Sequence, residues 1–216
     1  MNNSNKDIKP FYVYTDKNYL YIKNINSHTE KLYNNVYTYC ANIDANNRIH
    51  ICCIDTAGKL IHISSNNNHW KKKVVGKVFD NIKNIKNMRL YIVNNFLNIF
   101  VVEENPLSEG LHRVSHFNIN PKNHKMSKYY IKNIYKENSS IYKLNLDGLS
   151  NFIFQYKSLS PYSRDYIENT LIFNSTSQTW LNPCSIPRCS NSDNTYPTSD
   201  IKDNIFEYCY SLVYKI

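Results

Sequence analysis

The sequence predicts an all-β fold, a small β-propeller of four blades with four antiparallel strands each. Three observations carry this. Nearly every ordered segment is a run of β-branched and aromatic residues, bounded by Asn pairs, Asp, Ser or an occasional Gly. These runs group into quartets whose first strands recur about every 50 residues, in the range of propeller blades. The two ends of the chain supply three strands and one strand, which together make the quartet that closes a ring.

In chain order, the opening three strands are Phe11–Thr15, Tyr19–Lys23 and Glu30–Tyr33. The first full quartet is Tyr37–Ile43, Arg48–Ile54, Leu60–Ser64 and His69–Val75. The second is Met88–Val93, Leu97–Val102, Leu111–Ile119 and Met126–Ile131, and the third Ile141–Leu146, Asn151–Tyr156, Tyr166–Phe173 and Thr179–Pro183. The closing strand is about Ile205–Tyr214. Ile49–Ile54 and Phe152–Tyr156 carry apolar groups at both parities, as strands covered on both faces require. No window of a dozen residues holds a 3.6-residue period with good helix formers.

With four glycines in the chain, asparagine must supply the positive φ angles of tight turns. Asn34-Asn35, Asn46-Asn47, Asn66-Asn67-Asn68 and Asn94-Asn95 fall between strands, as that requires. Residues 1–9 are expected to be disordered, 10–216 to form a single propeller domain, and Asn182–Asp200 a long loop. A fragment of a five- or six-bladed ring, and a partly open β-sandwich, are the competing architectures.

Composition excludes several functions. Gly58, Gly76, Gly110 and Gly148 are far apart, so neither a P-loop nor a dinucleotide-binding fingerprint is present. No apolar run reaches the ~18 residues of a membrane span, and MNNSNKDIKP lacks the apolar core of a secretory signal. The expected location is therefore the cytoplasm, with no membrane insertion. The net charge of +9 comes from 26 Lys+Arg against 17 Asp+Glu, and 21 of the 26 are lysine. An AT-rich genome accounts for that bias as readily as an acidic partner does. Phosphate sites favour the arginine fork, so nucleic acid is not the expected partner.

The six cysteines have no zinc spacing; Cys52 and Cys53 are adjacent and point to opposite faces. Cys184 and Cys189 close a small loop if oxidised; buried free thiols are the expectation. His112 and His116 share a face but lie ~13 Å apart along one strand. His50 and His62 sit on adjacent strands, where they meet as packing or as a metal pair. Asp16, Asp55 and Glu103 end successive second strands, which suggests a recurrent contact to hairpin N–H groups or a carboxylate ring around a cation. No metal or cofactor is expected.

Trp70 and Trp180 hold the same place in their quartets. Phe173-Asn-Ser-Thr-Ser-Gln-Thr-Trp180 keeps the Thr and Trp of an Asp-box, and Ile63-Ser-Ser-Asn-Asn-Asn-His-Trp70 keeps the Trp. On these segments the chain resembles degenerate Asp-box, lectin-like propellers. With Ile-His-Ile, Gly-Lys-Leu and Asn-His-Trp it also resembles uncharacterised propeller-repeat proteins of low-GC Gram-positive, clostridial type. The resemblance implies a fold family and no particular activity.

First strands line the central channel of a propeller. Here they carry Tyr37, Tyr39, Tyr91, Tyr142, Tyr208 and Tyr210 beside Arg89 and Lys143. Aromatic faces next to hydrogen-bonding groups suit sugars and peptides. Tyr39, Arg89, Tyr91, Tyr142 and Tyr208 are the expected ligand-binding residues. The expected function is a non-enzymatic binding or scaffolding module, carbohydrate-binding and lectin-like. The alternatives are a propeller that binds a protein partner and a sialidase-like glycoside hydrolase. The last needs an arginine triad, and of the five arginines only Arg89 lies in a first strand.

Overall fold

The computed structural model describes residues 11–24, 28–66, 69–105, 110–136, 140–159 and 165–181. Residues 1–9, the Asn182–Asp200 loop, the closing strand Ile205–Tyr214, Tyr208 and Cys184/Cys189 lie outside them. The described residues form strands and no helix: β1 (Phe11–Asp16), β2 (Tyr19–Asn24), β3 (Thr29–Tyr33), β4 (Val36–Ile43), β5 (Ile49–Asp55), β6 (Lys59–Asn66), β7 (His69–Lys77), β8 (Ile85–Val93), β9 (Phe96–Glu104), β10 (Leu111–Ile119), β11 (Met126–Tyr135), β12 (Lys143–Leu146), β13 (Phe152–Leu159), β14 (Tyr166–Asn174) and β15 (Thr179–Leu181). Accordingly, no helix among them is long and apolar enough to cross a membrane.

Each strand expected from the sequence within this range is present. β1-β2-β3 forms a three-stranded sheet and β4-β5-β6-β7 the expected first quartet, as a sheet of its own. The other two quartets are not separate blades. They share one eight-stranded sheet, in the order β15-β14-β13-β11-β10-β9-β8 with β12 also beside β13. Among the described residues the bridge is the single pair Tyr135↔Lys157. β12 takes the same edge of β13 over Phe152–Gln155, and β11 reaches that edge just beyond it. The sheets among the described residues are not closed into a ring.

Two compact units are present: residues 11–83 with 88–92, and 84–87 with 93–181, so β8 contributes residues to both. In the first unit one face of β4–β6 packs on β1–β3. Phe11, Val13, Leu20, Ile22, Leu32, Ile51, Ile61 and Ile63 form the core there, with Trp70 and Tyr39 at its margin. In the second, Phe100, Phe152, Phe154 and Phe173 are fully buried. His116 lies 4.4 Å from Phe100 and 4.7 Å from Phe173, contacts that add about 1 kcal/mol each to the burial itself.

β5 is buried at six successive positions, as its two apolar parities predict. β13 departs from that expectation. Phe152 and Phe154 are buried whereas Gln155 is exposed, because only the even-numbered face of β13 meets the phenylalanine core.

Asparagine does substitute for glycine in the turns: Asn18, Asn35, Asn47, Asn94, Asn95 and Asn133 all have positive φ. Three hairpins share one device. Asp44 Oδ1 accepts the N–H groups of Asn46 and Arg48. Asp55 Oδ1 does the same for Ala57 and Lys59, and Asp147 Oδ1 for Leu149 and Asn151. The residue three positions on, Asn47, Gly58 or Ser150, takes the positive φ and donates its N–H to the aspartate carbonyl.

Candidate functional site

The residues expected to line a channel have different surroundings. Tyr39 on β4 is half-buried, and its hydroxyl donates to Val13 O at 2.9 Å. On β8 Arg89 is partly exposed and Tyr91 buried. Tyr142, between β11 and β12, stacks on Phe154 at 4.6 Å. With Lys143 it lines a cleft of the second unit.

That cleft encloses about 130 Å³ at the place where β12 begins and β11 reaches β13. Residues of both parities from β13 and β14 line it. Cross-strand pairing sets Lys143 opposite Gln155 and Gln155 opposite Thr170. The next row is Tyr135, Lys157 and Glu168. These two rows occupy the face of β13 that the phenylalanine core leaves uncovered, and Lys143, Gln155 and Glu168 are exposed. Tyr142, Tyr156 and Asn169 complete the wall. Lys157 Nζ stands 3.7 Å from Glu168 Oε1, a loose pair with Glu168 largely in solvent. Burial raises the Tyr156 phenol above its ordinary value, so it enters as a neutral donor. Tyr135 stacks on Tyr166 at 4.2 Å.

Sequence reasoning reached Tyr142 and Lys143 and missed Tyr135, Gln155, Tyr156, Lys157, Glu168 and Asn169. The signal available was the Tyr-Lys dipeptide, repeated at 135–136, 142–143 and 156–157. What joins these strands is one residue pair, and no local pattern reports it.

Other polar clusters are internally satisfied. His50 and His62 do meet, diagonally across β5 and β6: their rings stack 3° from parallel, with His50 Nδ1 3.0 Å from His62 Nε2. His50 Nε2 faces Asp44 Oδ2 at 3.3 Å, so the proton order runs His62 N–H to His50, and His50 N–H to Asp44. Burial lowers the His50 pKa, with Asp44 opposing. Burial would raise Asp44, but the Arg48 and Asn46 N–H groups with the His50 and Arg48 side chains bring it below its usual value. Arg48 closes the cluster on Asp44 Oδ2 at 2.8 Å. Among the described residues no three His, Cys, Asp or Glu side chains are placed to hold a metal ion.

Asp55 makes the hairpin contact expected for it, whereas Glu103 does not. Glu103 is buried and receives Arg113 Nε at 3.0 Å and Ser115 Oγ at 2.7 Å. Cys40, Cys52 and Cys53 are buried free thiols, and burial pushes the Cys53 pKa up to about 12. They are inert as nucleophiles.

No family model and no curated protein matches the chain. Solved structures similar to it include a bifunctional GH43-CE protein of Bacteroides eggerthii, with a TM-score of 0.40 and 11% identity, covering 76% of this chain and 22% of that one. Another is a thermostable family-43 glycoside hydrolase, with a TM-score of 0.38 and 11% identity over 83% of this chain and 72% of that one. A third is the Bacteroides ovatus xyloglucan PUL GH43B, with a TM-score of 0.35 and 8% identity over 76% of this chain and 35% of that one. The chain thus spans about a fifth of the first and a third of the last. All three are named as glycoside hydrolase family 43 proteins, against the expectation of a non-enzymatic module.

Proposed function

We infer that the cleft between β11, β12 and β13 binds one ring of a saccharide. The observation that supports this is its wall: tyrosine rings at 135, 142 and 156, beside the amides of Gln155 and Asn169, the Glu168 carboxylate and two lysines. Aromatic faces take the C–H faces of a pyranose, and planar amides and carboxylates match pairs of neighbouring hydroxyls. A volume near 130 Å³ seats a single ring and leaves the rest of a chain outside.

The test is a glycan array on the full chain, followed by calorimetric titration of the best ligand against Gln155→Ala and Glu168→Gln. Both residues are exposed, so the fold is retained. Each variant should weaken binding by about tenfold, the worth of one or two hydrogen bonds to a ligand. Unchanged affinity in both would sink the reading. Reducing-sugar release in the same titration reports hydrolysis. Glycoside cleavage usually employs two carboxyl groups about 5–9.5 Å apart, and among the described residues Glu168 is the one carboxylate in the cleft wall. A hydrolytic outcome would therefore require a second acid from outside the residues that line it.

A further inference from the structure

We propose that the outer edge of β7 is a second binding surface, for a linear acidic polysaccharide. Lys71, Lys72 and Lys73 are consecutive and exposed, and β7 ends the order of its sheet, with β6 its sole neighbour there. Their register partners are Ser64, Ile63 and His62, none of them a carboxylate. Among the described residues, the carboxylates near the ends of β7 are already engaged. Asp80 holds Lys77 at 2.8 Å, and Glu30 accepts Trp70 Nε1 at 2.9 Å. No ion pair is formed by Lys71, Lys72 or Lys73 with any described residue. Lys59 pairs with Lys77 across the ladder and extends the positive edge.

An edge strand needs little charge to repel a strand of another chain. Three adjacent ammonium groups repel one another, and a bound polyanion relieves that. Strand geometry sets Lys71 and Lys73 on one side about 7 Å apart and Lys72 on the other, so a linear anion lying along the edge meets all three. The charges are lysine throughout: compact, strongly hydrated points that do not select the planar bidentate geometry arginine offers phosphate. Single-stranded nucleic acid would also want aromatic faces to stack on. The aromatic residue of β7, Trp70, is packed against the core of its unit and tied to Glu30. Sulfate or carboxylate groups on a sugar chain fit what is left.

Size-fractionated heparin is the probe, titrated against the full chain between about 50 and 200 mM salt. The comparison variants are K71Q/K72Q/K73Q and a charge-matched control, K122Q/K125Q/K132Q, whose lysines are also exposed. The proposal expects the β7 variant to bind at least tenfold more weakly and to lose about 2 units of salt slope, with the control close to the parent. K71R/K72R/K73R should bind like the parent. Equal losses in both glutamine variants would overturn it in favour of bulk charge. So would absence of heparin binding at the lowest salt, or tighter β7-dependent binding of a single-stranded oligonucleotide of equal charge. The edge lies in the first unit and the cleft in the second, so the two sites fail independently.

Discussion

Trp180 Nε1 donates to His116 Nδ1 at 3.1 Å. The tryptophan comes from the third quartet and the histidine from the second, so this bond crosses the two quartets that share one sheet. It also settles the tautomer: His116 must carry its proton on Nε2, where Asn98 Oδ1 accepts at 3.0 Å. Asn118 Nδ2 donates to the same oxygen at 2.8 Å. The ring is neutral, fully satisfied and packed between Phe100 and Phe173.

Burial drops the His116 pKa from 6.5 to about 3. The unfolded chain then binds a proton that the folded chain refuses between those values. The stability this neutral ring confers is complete above pH 6.5 and falls as the pH drops towards 3, at about 1.4 kcal/mol per unit. His50 is lowered too and adds in the same direction. Urea unfolding at steps from neutral to about pH 4 checks it. A midpoint that does not move would show that His116 is protonated in the folded state.

Gly58 and Gly76 should respond oppositely to alanine. Gly58 has φ +76, and a Cβ there would stand 1.9 Å from the carbonyl oxygen of Phe79. That carbonyl belongs to backbone whose N–H groups at Val78 and Phe79 both donate to Gly58 O, so it cannot move without loss. Gly58→Ala should cost about 3 kcal/mol or more. At Gly76 nothing lies within 4 Å of the added carbon, so Gly76→Ala should be neutral or stabilising by up to about 1 kcal/mol. Thermal melts of the two variants decide it.

Glu103 and Arg113 form an unequal pair. The Glu103 side chain is 5% exposed and that of Arg113 40%. Removing the arginine strands a buried carboxylate, whereas removing the carboxylate frees a cation that already reaches water. Arg113→Met should therefore destabilise by about 3 kcal/mol and Glu103→Gln by about 1. The reverse order in denaturant unfolding would mean that Ser115 alone sustains the carboxylate.

The aspartate hairpins make a chemical prediction. Asp147→Asn keeps an oxygen for the Leu149 and Asn151 N–H groups, and Asp147→Ala removes it. The alanine variant should lose about 1–2 kcal/mol and the asparagine variant less than about half of that. Amide exchange at Leu149 and Asn151, faster in the alanine variant alone, would locate the effect in the turn.

How far these features were legible depends on the distance in sequence they span. The strands β1 to β15 follow from local residue preference, and the left-handed turn positions at Asn35, Asn47, Asn94 and Asn95 from asparagine pairs between them. The β4–β7 quartet is readable because its strands pair in order. The sequence marks Tyr142 and Lys143 as first-strand residues of an expected channel, whereas the cleft that holds them depends on which strand edges meet.

The sequence by itself determined the all-β class, strand positions and turn chemistry. These are short-range: alternation, turn residues and hydrophobicity act over a few positions. Only the tertiary structure decided that two quartets share a sheet, that His50 finds His62 diagonally, and that Gln155 and Glu168 stand on an uncovered face. Those outcomes turn on which strand edge meets which. At β13 the choice between β12 and β11 changes along a single edge, with Tyr135 and Lys157 the one pair that records it.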